Sequence, residues 1–328
     1  MHSLVIDTDG GIDDAVALWW ALSRPDVEVV AVLATWGNVG ADGAAANVAR
    51  ILAAAGRPDI PVALGVEGPI GPTPLGRRSG HVHGEDGLGG CAERWPTGHA
   101  GLAAEPAGEL LARLTAERPG ELGLVTVGPL STVAQALRAE AGIASRVRSL
   151  TVMGGSVAAG GNALPLAEAN IAHDPTAAAE VVAAPWATEE RPLLVGLDVT
   201  RYALLGPDEL ALAGAGHTVA GRFLAEPLAH YAGYYARSEQ APAGWSPCHD
   251  LAATIAAVDT ALVTEARVVP LAVDTGGSAA WGATVADLRP RPEADDAPPG
   301  FASWRVALDA DAGRLRAEFG WLVGGDLT

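Results

Sequence analysis

Four aspartates fall within eight residues near the start of the chain, namely Asp7, Asp9, Asp13 and Asp14. Two carboxylates about 4 Å apart repel each other by about 4 kcal/mol when the effective dielectric constant is about 20. A group of this kind stays ionised only when a cation lies between its members. Oxygen ligands in this number favour Ca²⁺ first and Mg²⁺ second. The spacing of these residues therefore predicts a metal site.

The elements around this group follow from the residue pattern. Residues 4–6 are typical of a buried strand, residues 15–22 of a helix, and the two glycines between them of a tight turn. Asp13 or Asp14, taken alone, is equally typical of a residue that caps a helix. Capping does not account for Asp7 and Asp9, so a metal site is the hypothesis that we keep. The pattern assigns no separate role to Asp7.

Composition limits the class of protein. The 328 residues are 49% hydrophobic and carry a formal net charge of -18, and all 21 basic residues are arginines. The absence of lysine excludes a P-loop lysine and a Schiff-base lysine. The negative charge argues against a nucleic-acid polymer or an anionic membrane surface as a partner. With no apolar run that could span a membrane and a strand predicted almost at the first residue, we expect a cytoplasmic protein.

Strand-like apolar runs alternate with alanine-rich helical stretches along the chain. The strands are predicted at residues 27–34, 60–64, 122–127, 149–153 and 193–197. Such alternation predicts an α/β fold with an open, doubly wound, mostly parallel sheet and helices on both faces. We expect a single domain over residues 1–328, with a surface loop at 289–299. Polar residues or glycine turns follow nearly every strand, where open α/β sheets bind their ligands.

Two loop regions carry further candidate residues. The glycine-rich segment 80–90 contains His83 and is typical of a mobile loop that closes over a substrate, or of an ordinary solvated loop. Asn162, Glu168 and Asn170 offer donors and acceptors that suit sugar hydroxyls, although loop polarity alone accounts for them equally well.

A second group of candidate residues lies towards the other end of the chain. His249 and Asp250 begin a predicted helix, where they would supply a proton donor and one more carboxylate for a metal. Tyr231, Tyr234 and Tyr235 lie on one predicted helix, and their spacing favours packing in the core or against a lid.

These motifs, in this order, resemble those of the inosine-uridine-preferring nucleoside hydrolases. The resemblance extends to about residue 287, and the aspartate motif together with the His-Asp pair is its most specific part. The matching segments are Asp7-Thr8-Asp9-Gly10-Gly11-Ile12-Asp13-Asp14, Gly37-Asn38, His83-Gly84-Glu85-Asp86-Gly87-Leu88-Gly89, Val127-Gly128-Pro129-Leu130, Met153-Gly154-Gly155, Gly161-Asn162, Glu168-Ala169-Asn170, Asp174-Pro175, Gly196-Leu197-Asp198-Val199-Thr200 and His249-Asp250.

The resemblance implies a Rossmann-like nucleoside hydrolase fold and hydrolysis of the N-glycosidic bond of ribonucleosides to a free base and ribose. It implies a Ca²⁺ ion bound by Asp9, Asp14, the main-chain carbonyl of Val127, and Asp250. Asp9 would also take the proton from the calcium-bound water, and the transition state would resemble an oxocarbenium ion.

The resemblance also implies roles around the substrate. Asp13, Asn162, Glu168, Asn170 and the backbone near Met153 would hold the ribose. Asn38 would help to position it, His249 would be the acid for the departing base, and His83 would lie near the base. The same resemblance implies a homodimer or homotetramer.

The chain departs from the usual motifs of this family at five positions. Gly10 replaces a proline, which we expect to loosen the turn; Thr132 replaces an asparagine, Ala169 a phenylalanine and Arg201 a histidine. Trp36 is bulkier than the residue usual at its position, and we hypothesise that it lines the base pocket and affects base selectivity.

Two other classes of protein remain open at this point. The turn at residues 7–11 also resembles the aspartate loop of haloacid-dehalogenase-like phosphohydrolases, although the absence of lysine and the second pair Asp13-Asp14 count against that class. A non-catalytic, metal-dependent binder of nucleosides or ribose is the second alternative, and the intact pair His249-Asp250 argues against it.

Overall fold

A computed structural model of the chain describes residues 1–75, 78–97, 102–238, 240–290 and 297–325. The strands in these ranges are β1 (His2–Thr8), β2 (Val27–Ala34), β3 (Val62–Leu64), β4 (Leu122–Thr126), β5 (Ser149–Met153), β6 (Leu193–Val195), β7 (Leu204–Leu205), β8 (Ser246–Pro247), β9 (Val263–Val273), β10 (Thr284–Ala286) and β11 (Ala302–Ala310).

The helices of the described ranges surround these strands. They are α1 (Ile12–Ser23), α2 (Ala41–Ala54), α3 (Gly80–His83), α4 (Ala107–Glu117), α5 (Ser131–Ala139), α6 (Ile143–Arg146), α7 (Ala169–His173), α8 (Pro175–Ala183), α9 (Leu197–Thr200), α10 (Pro207–Ala215), α11 (Val219–Arg237), α12 (His249–Val258) and α13 (Ala312–Gly324), with short 3₁₀ segments at Ala92–Arg94 and Thr260–Leu262.

Within the described residues, the main sheet has nine strands in the order β10-β9-β11-β6-β5-β4-β1-β2-β3. Every pair from β11 to β3 is parallel, and only β9 runs against its neighbours β10 and β11. The open, mostly parallel α/β sheet predicted from the sequence is therefore confirmed.

The position of β1 in the sheet determines where a ligand can bind. The chain runs outward from β1 to β2 and β3, and then returns to β4 on the other side of β1. In open α/β sheets, the reversal of strand order leaves a crevice at the carboxyl ends of the two strands on either side of it. The turns that follow β1 and β4 therefore lie at the same crevice.

Two apolar cores hold the helices against the two faces of the sheet. Leu4 and Ile6 of β1 belong to one core and Val5 to the other, because side chains alternate along a strand. Buried residues of α1, α2, α11, α12 and α13 belong to the first core, and those of α4, α5 and α8 to the second. By the same alternation, Asp7 lies on the face of Val5, opposite α1.

Some boundaries differ from those predicted. The helix that carries the three tyrosines, predicted over residues 230–237, extends over Val219–Arg237 as α11 and contains Pro227 in its interior. Residues 291–296 of the predicted surface loop lie outside the described ranges. Among the described residues, no helix combines the length and the apolar character needed to cross a membrane.

Candidate active site

The turn after β1 is organised by Asp14. One oxygen of its carboxylate accepts hydrogen bonds from the Thr8 hydroxyl and the backbone N–H of Asp9, and the other from the backbone N–H of Gly11 at 2.9 Å. Gly10 has a φ of 72°, and a Cβ there would lie 2.6 Å from the Cα of Ala44. Glycine adopts this φ readily, whereas proline cannot. The turn is also closely packed, contrary to the loosening that we expected.

Three carboxylates meet at the amino-terminal ends of α1 and α12. Asp13, Asp14 and Asp250 each place one oxygen within 4.8 Å of the corresponding oxygens of the other two, and all three residues are buried. The pairing of α1 with α12 brings Asp250 to this point from the far end of the sequence. This group contains Asp13, for which the resemblance implies a sugar-binding role, and does not contain Asp9.

Asp9 is held by the turn that follows β2. The backbone N–H of Asn38 donates to Oδ2 of Asp9 and its side-chain amide donates to Oδ1, each at 2.8 Å. The same amide lies 3.2 Å from Oδ2 of Asp14. A Cβ on Gly37 would lie 2.0 Å from Oδ2 of Asp9, so only glycine permits this close approach of the two turns.

Burial and mutual repulsion make these carboxylates difficult to ionise. Burial, followed by the charge of Asp14, raises the pKa of Asp13 to about 7. Burial is also the main cause that raises the pKa of Asp9 and of Asp250 well above the ordinary aspartate value, with the neighbouring aspartates as the next cause. Buried, closely spaced oxygen ligands of this kind fit a divalent cation such as Ca²⁺, whose charge would offset the repulsion.

Asp7 lies apart from this group. It is completely buried, and neither carboxylate oxygen has a hydrogen-bond partner among the described residues. Burial raises the pKa of Asp7 well above its ordinary value, and the charge of Asp14 adds to this effect.

A second set of polar groups lies across the crevice, on α7 and the loop before it. The Glu168 carboxylate accepts from the backbone N–H groups of Gly155, Asn170 and Ile171 and so caps α7. The Asn170 side-chain amide donates to the carbonyls of Val127 (3.0 Å) and Met153 (3.2 Å). The donors of Asn170 are therefore committed to the backbone, which leaves its side-chain oxygen as an acceptor.

His249, at the first position of α12, is fixed on both sides. Its Nδ1 lies 2.8 Å from the Thr200 hydroxyl and its Nε2 lies 3.1 Å from the Tyr235 hydroxyl. The hydroxyl oxygens of Tyr231 and Tyr235 are 3.4 Å apart, and the Tyr231 hydroxyl also hydrogen-bonds to Asp13. Burial lowers the pKa of His249 to about 4, with Arg201 as a second cause, so the imidazole is neutral at neutral pH.

His83 ends α3 beside the aspartates. The backbone N–H of Ile12 donates to its Nδ1 at 3.1 Å, and this nitrogen lies 3.9 Å from Oδ1 of Asp13. Burial is the main cause that lowers the pKa of His83 to about 3. The ring is therefore neutral at neutral pH, and because Nδ1 is an acceptor its proton lies on Nε2, which is then a donor.

These groups line one cavity of about 70 Å³. Its lining residues are Asp13, Asn38, Ser79, Val82, His83, Val127, Met153, Asn162, Glu168, Ala169, Asn170, Tyr231, Tyr235, His249 and Asp250. Most of the candidate residues from the sequence therefore meet at this cavity. Asp9 and Asp14 lie directly behind it, where both hydrogen-bond to Asn38.

Trp36, the candidate for the base pocket, does not line this cavity. Its indole N–H donates to the Ser131 hydroxyl at 3.0 Å, and its ring meets the edge of His173 with a centroid distance of 5.3 Å. Trp36 is 6% exposed and is not among the residues that line the cavity. The indole therefore packs against Ser131 and His173 and does not occupy the base-pocket position that we hypothesised.

Sequence reasoning missed the contacts of five residues at this site. Ser79 and Val82 line the cavity, Tyr231 and Tyr235 contact Asp13 and His249, and Thr200 contacts His249. The four-residue spacing of the two tyrosines indicated one shared helix face, but the pattern favoured apolar packing, and nothing local indicated a polar partner.

Taken together, the parallel sheet and its crevice define an α/β protein with a group of buried carboxylates that could hold a metal ion. The model of the inosine-uridine preferring nucleoside hydrolase family matches residues 4–317. The inosine-uridine preferring nucleoside hydrolase of Crithidia fasciculata is 32% identical over 296 residues, which cover 88% of this chain and 89% of that protein. A probable uridine nucleosidase 2 of Oryza sativa subsp. japonica is 40% identical over 178 residues, which cover 54% of this chain and 52% of that protein.

Solved structures agree with the sequence comparisons. The plant nucleoside hydrolase PpNRh1 superimposes with a TM-score of 0.89 at 30% identity, covering 99% of both chains. The chain therefore belongs to the inosine-uridine preferring nucleoside hydrolase family and is a hydrolase that acts on the N-glycosyl bonds of ribonucleosides. This membership favours nucleoside hydrolysis over the phosphohydrolase that the first aspartate turn also resembles.

Proposed function

We propose that this enzyme releases ribose and the free base from ribonucleosides such as uridine and inosine at the cavity between β1, β4, α7 and α12, with Ca²⁺ as its metal. The observation that carries the proposal is the convergence of Asp13, Asp14 and Asp250, whose ligand atoms lie within 4.8 Å of one another at a cavity that Asn162, Glu168 and Asn170 also line. Neither part is sufficient alone, because hydrolysis needs both an activated water and a held sugar.

Asp9, Asp14, Asp250 and the main-chain carbonyl of Val127 would hold the cation. All four offer oxygen, which Ca²⁺ prefers. Val127, which follows β4, lines the cavity, and its carbonyl also accepts from the Asn170 amide. When bound, the cation supplies Lewis acidity that lowers the pKa of the attacking water. Asp9 is proposed to accept the proton of that water, with its carboxylate oriented by the two donors of Asn38.

The ribose would be held by Asp13, Asn162, Glu168, Asn170 and the backbone near Met153. The carboxylates and the Asn170 amide oxygen would accept hydrogen bonds from sugar hydroxyls, and the Asn162 amide, whose oxygen accepts from Ala169, would donate to them, so that the ring is fixed relative to the water. Cleavage of the C–N bond develops positive charge on the ribosyl ring, as in other glycoside hydrolysis. The carboxylates already in place around the ring stabilise that charge without reorganising.

His249 and His83 are proposed to act on the base. His249 is a neutral imidazole between the Thr200 and Tyr235 hydroxyls, so it would pass a ring proton to the leaving base while the hydroxyl on its other nitrogen returns one to the ring and is itself reprotonated by solvent water. His83 lines the cavity, and with its proton on Nε2 it is suited to hydrogen-bond a substrate oxygen or nitrogen. Both groups would act on the leaving side of the sugar.

A nucleoside panel tests the proposal. Uridine, cytidine, inosine, adenosine and guanosine are incubated with the enzyme in the presence of Ca²⁺ and, separately, of a chelator, and the released ribose is measured as reducing sugar. We expect ribose release that depends on Ca²⁺ and little release from 2′-deoxyuridine, because the polar groups that bind the 2′-hydroxyl would be left unpaired. Absence of ribose from every nucleoside would refute the proposal. Calorimetric binding of uridine without any release would support the non-catalytic binder instead.

We further infer, from the family resemblance, that the protein assembles as a homodimer or homotetramer. Light scattering coupled to size-exclusion chromatography measures the mass in solution. A mass equal to the single-chain value of 33.2 kDa would contradict this inference.

A further inference from the structure

Three neighbouring side chains at the short helix α9 contact two different parts of the active site. Thr200, the last residue of α9, contacts His249. Asp198 of α9 and Arg201, the residue that follows α9, both contact the loop 157–161, which follows β5 and precedes Asn162. None of the roles proposed above explains why Asp198 and Arg201 are directed towards this loop.

Asp198 holds the first half of the loop through its backbone N–H groups. One carboxylate oxygen accepts from Val157 at 2.8 Å, and the other accepts from Ala158 at 2.8 Å and from Ala159 at 2.9 Å. Asp198 is 9% exposed. Hydrogen bonds from several amides to one buried carboxylate are charge-assisted and fix the backbone more strongly than neutral ones.

Arg201 holds the second half of the loop through its carbonyls. Its two terminal guanidinium nitrogens donate to the carbonyl oxygens of Ala159 at 2.6 Å and Gly161 at 2.8 Å. The planar guanidinium group presents these donors in a fixed geometry, so two carbonyls are held at one mutual spacing. Together the two side chains bind amides and carbonyls of the same five-residue segment.

The segment that they hold leads directly into Asn162. Gly161, the last residue bound by Arg201, is the chain neighbour of Asn162. Asn162 lines the cavity, and its side-chain oxygen accepts from the backbone N–H of Ala169 at 3.0 Å. This contact directs the donor end of the Asn162 amide away from Ala169, and the position of that end depends on the backbone that Arg201 fixes.

We propose that Arg201 is a positioning residue for ribonucleoside hydrolysis: with Asp198 it holds the loop 157–161 so that Asn162 meets the sugar. This inference rests on the proposed function for the role of Asn162. Arg201 itself touches backbone carbonyls and acts on the substrate through Asn162.

A double-mutant cycle measures this dependence directly. Arg201→Met keeps the length of the side chain and removes both donors, and it is made in the wild type and in Asn162→Ala. We expect Arg201→Met alone to lower kcat/KM for uridine by roughly tenfold to a hundredfold, mainly through KM, since a displacement of about 1 Å has effects of this size. In the Asn162→Ala background, the same substitution should change kcat/KM by less than about twofold.

Amide hydrogen exchange of the segment gives a readout that does not depend on activity. Arg201→Met should accelerate exchange of residues 157–161, while Arg201→Lys, which can reach one carbonyl, should give an intermediate rate and intermediate kinetics. Arg222→Met is the matched control, because Arg222 also donates to a backbone carbonyl, that of Gly216, but lies in the first turn of α11. It should leave kinetics and loop exchange unchanged.

The outcomes separate this inference from the proposed function. Equal losses of kcat/KM in the wild-type and Asn162→Ala backgrounds, or unchanged loop exchange in Arg201→Met, would overturn the positioning role. A wild-type enzyme that releases no ribose refutes the proposed function, whereas the exchange result still decides whether Arg201 holds the loop. If Arg201→Met fails to fold, Asp198→Asn replaces it in the same cycle, with the same expected coupling to Asn162.

Discussion

Asn38 donates a hydrogen bond to each oxygen of the Asp9 carboxylate, one from its backbone and one from its side chain, both at 2.8 Å. The two residues follow neighbouring parallel strands, β1 and β2. The contact fixes the rotation of the Asp9 carboxylate. Because Asp9 is 1% exposed, the carboxylate cannot turn towards solvent instead. Asn38 therefore determines the direction in which Asp9 faces.

Replacement of Asn38 by alanine should lower kcat/KM for uridine by roughly tenfold to a hundredfold, the usual range for a residue that orients a metal ligand. The reason is that Asp9 keeps only its backbone donor. The apparent Ca²⁺ affinity, measured by calorimetry, should fall as well. Asn38→Asp serves as a comparison of equal size, and its added negative charge beside Asp9 should reduce activity further. Wild-type kinetics in Asn38→Ala would show that the side-chain contact has no functional role.

His249→Ala should affect substrates according to their leaving group. With uridine, loss of a proton donor should lower kcat by about 10²-fold to 10⁴-fold. With p-nitrophenyl riboside, whose nitrophenolate leaves without a proton, the loss should be below about tenfold. Tyr235→Phe, which removes only the hydroxyl 3.1 Å from Nε2, should give a smaller loss with the same selectivity. Equal losses on both substrates would contradict a role for His249 in protonating the base.

Chelation of the metal should make stability depend on pH. The pKa of Asp13 is raised by burial from 3.8 to about 7, so the folded chain retains a proton that the unfolded chain has lost between these values. Unfolding free energy without metal should then fall as pH rises through that window. Burial raises the pKa of Asp9, Asp250 and Glu168 in the same direction.

Addition of Ca²⁺ should reverse this trend, because the ligands must lose their protons to bind it. At a hundred times its Kd, a ligand adds about 2.7 kcal/mol to stability, which corresponds to an increase in Tm of roughly 5 °C. Calorimetric scans with EDTA and with Ca²⁺ should show a larger increase at about pH 8 than at about pH 5. A calcium effect that is the same at both pH values would contradict the assignment of these carboxylates.

Trp36→Ala should reduce stability and leave base preference unchanged. The indole is buried, donates to Ser131 and packs on His173, so its removal should cost about 3 to 5 kcal/mol of unfolding free energy. Trp36→Phe retains most of the ring packing and should cost less. The measurements are denaturant unfolding and the ratio of kcat/KM for inosine and uridine. A changed ratio in a stable Trp36→Phe variant would restore the base-pocket hypothesis.

The sequence by itself determined the local features of this protein. The alternation of apolar runs and helical stretches predicted the parallel α/β sheet, because period and length distinguish strands from helices within a few residues. The turn from Asp7 to Asp14 and the pair His249-Asp250 were also recognisable locally, because each combines several functional side chains in one short segment.

Only the tertiary structure decided which of these segments meet. The packing of α1 against α12 brings Asp250 to Asp13 and Asp14, and the crossing of α11 brings Tyr235 to His249. The tertiary structure also places Trp36 against His173 and Arg201 against the loop before Asn162. These contacts depend on how helices and loops pack over many intervening residues, and local periodicity contains no information on which partner a polar side chain will find.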